Sequence, residues 1–181
     1  MGKKLIACLF FIWIPVLAHS QAVSPVKDKT AYISVGGFYS YGQTDYGQNH
    51  AMGLGAYSDI NYRVWRRIGV GLEGEARFLN FHLVSGTYEQ NFLGGPRVTY
   101  KMKHFEPYVK FLAGGSRFHY PDFISKQVYT YTTFAGGGGL DVRLTDRLYL
   151  RAADFEYQHW LFPPSGLTPW VYSAGVSFRV F

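Results

Sequence analysis

From Ile68 to Phe81 the chain reads IGVGLEGEARFLNF, and at period two it separates into unlike rows. Ile68, Val70, Leu72, Gly74, Ala76 and Phe78 fall on one face, while Gly69, Gly71, Glu73, Glu75 and Arg77 fall on the other. Successive side chains of a strand point to opposite faces, so the stretch predicts a β-strand with one apolar side. Its other side is not ordinary solvent-facing polarity. Two carboxylates and a guanidinium stand among glycines at alternate positions, where adjoining strands can supply counter-charges.

Seven other segments repeat the layout. Strand one is predicted from Ala31 to about Tyr41, with Ala31, Ile33, Val35 and Tyr39 on the apolar row. Strand two, Met52 to Tyr62, sets Met52, Leu54, Ala56 and Ile60 against Asp59 and Asn61; strand four, Gln90 to Tyr100, sets Phe92, Val98 and Tyr100 against Asn91, Arg97 and Thr99. Pro96 has no N–H to give a ladder, which predicts a bulge or irregularity near Gly94-Gly95-Pro96. Strand five starts at Pro107 and alternates Val109, Phe111 and Ala113 with Tyr108, Lys110 and Leu112. Strand six, Tyr129 to Arg143, carries Asp141 and Arg143 on its polar row, and strand eight, Trp170 to the end, carries Arg179 there with Val176 and Phe178 opposite. Strand seven, Leu148 to Trp160, does not keep one phase: Arg151 shares parity with Phe155, but Asp154 and Glu156 share it with Leu148 and Leu150. One extra residue near Ala152-Ala153 would bring Arg151, Asp154 and Glu156 to the same face.

The connections alternate too. Those after strands two, four and six are short and basic or tight (Arg63 to Arg67, Lys101 to Glu106, and Leu144 to Arg147 as the tightest), whereas the others are longer and more polar. Together these features predict an all-β fold, an eight-stranded antiparallel up-and-down transmembrane β-barrel over residues 31–181. Its apolar rows would meet hydrocarbon, its charged rows would point to the axis, and its short turns would be periplasmic. Aromatic residues near strand ends, among them Tyr39, Tyr41, Trp65, Phe78, Phe81, Tyr100, Phe105, Tyr129, Trp160 and Trp170, would form two girdles at the lipid–water boundaries.

Composition narrows the setting. Lys3 and Lys4, the apolar run Leu5 to Ala18 and the Ala18-His19-Ser20 site predict a secretory signal peptide over 1–20, with a periplasmic lead-in at 21–30. The only cysteine, Cys8, would leave with that segment, so the mature fold would use neither disulfides nor thiolate ligands. Without Lys3 and Lys4 the formal charge falls from +6 to +4, too mild and unclustered to indicate nucleic acid. No later apolar run is long enough for a membrane helix, but a barrel strand needs only about 9–11 residues, half of them apolar.

Charges inside a narrow barrel must be paired. The expected network joins Glu73, Glu75, Asp141, Asp154 and Glu156 to Arg77, Arg97, Lys110, Arg143, Arg151 and Arg179, and it would stiffen and block the interior. Two glycine patterns invite other chemistry. Gly69 to Gly74 matches GxGxxG but lies within one alternating strand, and Gly136 to Gly139 lacks the following Lys-Ser or Lys-Thr of a phosphate loop. Small residues easing curvature account for both.

The chain resembles the small outer-membrane barrels that include the OmpA transmembrane domain and the OmpX type. The likeness rests on inward Glu73, Glu75 and Arg77, on Leu93-Gly94-Gly95-Pro96-Arg97, on Pro107-Tyr108-Val109-Lys110 and on the terminal Gly175 to Phe181. It implies a monomer without cofactor or metal in the outer membrane, in contact with membrane lipid and lipopolysaccharide, acting through loops whose partner the sequence does not name. It also implies recognition of Phe178 and Phe181 by the barrel assembly machinery, although Phe181 falls one place off the Phe178 row. Some such barrels modify lipid A, one as a deacylase with a His-Ser-Glu arrangement; His82 with Ser85 and Glu89 is the loose counterpart here. A secreted, soluble lipocalin-like barrel is the structural alternative, because alternation by itself does not say which face is inside.

Overall fold

A computed structural model describes residues 31–43, 45, 50–81, 87–119, 128–161 and 166–180. The leader and lead-in, His82, Ser85 and Phe181 lie outside them. Eight strands follow in order: β1 (Ala31–Gln43), β2 (His50–Trp65), β3 (Ile68–Phe81), β4 (Tyr88–Tyr100), β5 (Phe105–His119), β6 (Val128–Arg143), β7 (Leu148–Leu161) and β8 (Trp170–Arg179). Each pairs antiparallel with its sequence neighbours, and β8 returns to β1, closing an up-and-down barrel. Closure removes the unpaired edges that an open sheet would expose.

β3 has the predicted bounds, Ile68–Phe81. Several others are longer: β2 continues through Arg63-Val64-Trp65, where the register against β3 shifts, and β5 begins at Phe105 rather than Pro107. The tightest connection is therefore Arg66-Arg67 between β2 and β3, not Leu144 to Arg147. Arg63, expected in the turn, belongs to the strand, because pairing with β3 continues through Arg63↔Gly69 and Trp65↔Ile68.

Both predicted irregularities have structural counterparts. Around Pro96 the β4–β5 pairs stop at Gly94↔Ala113 and resume at Arg97↔Lys110 with the register unchanged, so the ladder is interrupted and no residue is inserted. On β7, Asp141 pairs with Arg151 and Leu140 with Ala153, leaving Ala152 as an extra residue. That bulge resets parity, and Arg151, Asp154 and Glu156 are all buried.

The same reset corrects the girdle. Trp160 follows Glu156 and Gln158 on the inward row and is buried against Tyr131 (ring centroids 5.3 Å apart) and Phe118 (6.5 Å). Tyr129 also packs on this inner cluster, which contains Ala51 and Leu79. The outer wall is apolar: Leu72 is 64% exposed, Val109 62% and Phe111 53%.

Candidate functional site

The interior is layered along β3. From the turn end toward the loop end its inward row carries Glu73, Glu75, Arg77 and Leu79, and the barrel's contents change in the same order from ionic to apolar. Glu73 is a hub. Its Oε1 accepts from Lys110 Nζ at 3.0 Å and Arg151 Nη1 at 3.2 Å, and its Oε2 from Arg97 Nη1 at 2.5 Å and Arg151 Nη2 at 2.9 Å. Lys110 is the second hub, with its ammonium 2.6 Å from Glu156, 2.8 Å from Asp154, 3.0 Å from Glu73 and 3.2 Å from Glu75. Arg77 donates both terminal nitrogens to Glu156, at 3.0 and 2.9 Å, and reaches Glu75 at 3.1 Å. Arg97 bridges onward to Asp141 and to Asp59, the latter at 3.5 Å, while Arg151 also meets Asp141 at 3.4 Å.

Burial makes this geometry consequential. Taking ions out of water costs several kcal/mol each, and multiple short contacts from well-aligned partners are what offset it. Rings add to the offset: the Arg151 guanidinium lies 3.5 Å from the Tyr57 centroid, and Arg97 lies 3.8 Å from that of Tyr108. The glycine run on β6 makes room for this packing. Gly137 and Gly139 stand opposite Lys110 and Tyr108, and a Cβ on Gly139 would come within 2.5 Å of the Tyr108 hydroxyl. We expect Tyr108→Leu to lower stability by about 1–2 kcal/mol through the lost cation–π contact. Urea titration of the folded barrel, followed by heat-modifiable gel mobility, would measure it.

Two residues expected in this network lie elsewhere. Arg143, the last residue of β6, has a side chain 43% exposed and turns to Asp146 and the Thr145 carbonyl in the neighbouring turn; at the rim, water and these local acceptors solvate it better than the axis could. Arg179 belongs to a separate set at the turn end. It donates to Glu106 at 3.0 Å and to the Tyr149 hydroxyl at 2.6 Å, and its guanidinium covers the Tyr32 ring at 3.6 Å. Phe178 faces outward and is paired with Val35 and Leu148.

Three interior carboxylates escaped the expected network. In the sequence pattern Asp59 stands on the inward row of strand two without a named partner, Glu106 ends a turn, and Glu89 falls just before strand four. Parity was the available signal, since Glu106 is in phase with Tyr108 and Lys110, and Glu89 with Asn91, whose Nδ2 donates to it at 2.7 Å. Its burial also separates Glu89 from a loop-borne catalytic group. Glu75, Asp154 and Glu156 converge closely enough to hold a metal ion, but the Lys110 ammonium already contacts all three.

At the loop end a hydrogen-bonded row climbs from the ions to the apolar cluster: Trp160 Nε1 donates to Gln158 at 2.9 Å, and Gln158 Nε2 donates to Glu156 at 3.3 Å. Outside it, Asp45 accepts from the Thr168 amide at 3.2 Å and hydroxyl at 3.0 Å, tying the first loop to the fourth.

Solved structures share this architecture. Neisserial surface protein A aligns with a TM-score of 0.54 at 13% identity, over 83% of this chain and 97% of that one. The fold is that of the small outer-membrane barrels. The N-terminal β-barrel domain of OprF from Pseudomonas aeruginosa aligns at 0.50 and 17% identity, over 81% of this chain and 96% of that one. Ail, the attachment invasion locus protein of Yersinia pestis, aligns at 0.50 and 16%, over 82% and 97%. No family model matches the chain, and neither does any curated protein.

Proposed function

We propose that the chain is an outer-membrane barrel of the OmpA and OmpX kind, exported by a cleaved signal and working as a structural or surface-interaction protein. One observation carries this reading: the charged side chains are sealed inside while aliphatic and aromatic ones form the outer wall. A soluble lipocalin-like barrel needs the reverse, an apolar lumen and a polar exterior, so the arrangement favours hydrocarbon as the surrounding medium. Two similar structures are a surface protein and an attachment invasion locus protein, which supports a role for the loop end, where Asp45 and Thr168 hold two loops together.

The interior serves as a plug, not a catalytic centre. Apart from Glu89, which accepts from Asn91, its carboxylates are engaged by guanidinium and ammonium partners, and the cluster of Leu79, Phe118, Tyr131 and Trp160 covers that network on the loop side. Planar-bilayer recordings of the purified monomer are expected to show no stable open-pore conductance. A steady conducting level would contradict the plug. For the surface role, loop-deleted and intact forms expressed in cells should differ in surface binding and agree in envelope integrity; equal binding would contradict it.

A further inference from the structure

The barrel's two ends differ sharply in charge. The three short turns carry Arg66 and Arg67, Lys101 and Lys103, and Arg147 beside Arg143 at the end of β6, against Asp146 as their one carboxylate. The opposite loops, 44–49, 82–87, 120–127 and 162–169, carry Asp45, Asp122 and Lys126 and so nearly balance. The turn-end bases are not scattered around a frayed edge. Backbone bonds join neighbouring connections along the rim: the Lys101 amide donates to the Arg67 carbonyl at 2.7 Å, Arg143 to His104 at 2.8 Å, and Arg179 to Arg147 at 2.7 Å.

Each turn also sets an exposed apolar side chain beside its bases. Trp65, 69% exposed, precedes Arg66; Met102 precedes Lys103; Leu144 follows Arg143. A purely water-facing basic rim has no use for exposed tryptophan, methionine and leucine at these positions. A lipid interface does, because apolar side chains reach below the headgroups while arginine and lysine reach back to the phosphates.

We propose that the three turns form a collar that binds the phosphodiester headgroups of anionic phospholipid in the leaflet at the turn end. Arg66, Arg67, Lys103 and Arg147 supply the charge, and Trp65, Met102 and Leu144 seat the ring in the membrane. This rests on the membrane reading above. It adds to it a lipid preference confined to one end, with forked guanidinium groups suited to phosphate oxygens.

The test refolds the chain into vesicles of phosphatidylcholine alone and of phosphatidylcholine with phosphatidylglycerol, then extracts it gently and counts retained lipids by native mass spectrometry. The parent should retain phosphatidylglycerol well above its share of the bilayer. The quadruple variant Arg66→Gln, Arg67→Gln, Lys103→Gln, Arg147→Gln should fold with the same heat-modifiable mobility and lose that enrichment by about tenfold, given several-fold attraction per basic residue at an anionic surface. Arg117→Gln, on β5 near the loop end, should leave it unchanged. Equal retention of both lipids by the parent, or enrichment that survives the quadruple change, would overturn the collar. So would binding to purified peptidoglycan without a phospholipid preference, which would assign the rim to a cell-wall polymer. Failure to insert into either vesicle would instead count against the membrane reading itself, so the two failures are distinguishable.

Discussion

Glu73→Gln should destabilise the folded barrel by about 3–5 kcal/mol, the cost typical of removing one member of a buried ionic group. Glutamine keeps the shape and part of the hydrogen bonding, so the loss reports charge. The carboxylate is in contact with Arg97, Lys110 and Arg151 at once, and all three are buried, so its neutralisation leaves three desolvated cations with one negative charge fewer among them. With a urea slope of about 1–3 kcal/mol per molar, the unfolding midpoint in lipid vesicles should fall by roughly 1–5 M. Arg143→Gln is the matched control: its pair with Asp146 is exposed, and such pairs contribute about 0–1 kcal/mol. Equal midpoints for the Glu73 variant and the parent would mean that water reaches the interior and screens the network.

Leu72→Arg should cost about 2–4 kcal/mol in a bilayer, the range for a basic residue on the lipid face near the midplane. Leu72 lies on the outer row between Ile60 and Pro96, away from both rims, and has no nearby carboxylate on its face. The sign of the effect discriminates between media. On a water-soluble barrel, arginine at a position 64% exposed would be neutral and would improve solubility. The comparison is made by measuring urea midpoints of the variant and parent in the same vesicles, and recovery of a soluble, folded variant without detergent would contradict the membrane account.

Much of this architecture was legible because a barrel writes its inside and outside at period two. β3 was delimited to the residue, and the phase conflict of Arg151 with Asp154 and Glu156 located the β7 bulge, since no unbulged strand brings all three inward. What escaped was of two kinds. The first concerns where a strand stops: Arg63 and Glu106 read as turn because charge signals turns on average, yet pairing across the rim kept both in the ladder. The second concerns depth. Arg143 and Arg179 share the inward parity of Asp141 and Ser177, but parity does not say how far along the axis a side chain stands, and both sit where the rim offers nearer partners. Trp160 shows the same effect from the other side: applying the bulge consistently would have turned it inward, and its aromatic character alone argued for the girdle.

Which wall of the barrel meets hydrocarbon decides between a membrane protein and a soluble one. Solution NMR of the protein in lipid nanodiscs, with spin labels on the acyl chains in one sample and a water-soluble relaxation agent in another, addresses this directly. The methyl signals of Leu72, Val109 and Val176 should broaden with the chain-borne label and be untouched by the soluble agent, while the Arg151 side chain responds to neither. Broadening of those methyls by the soluble agent alone, or of Arg151 by the acyl-chain label, would contradict an outer wall set in hydrocarbon.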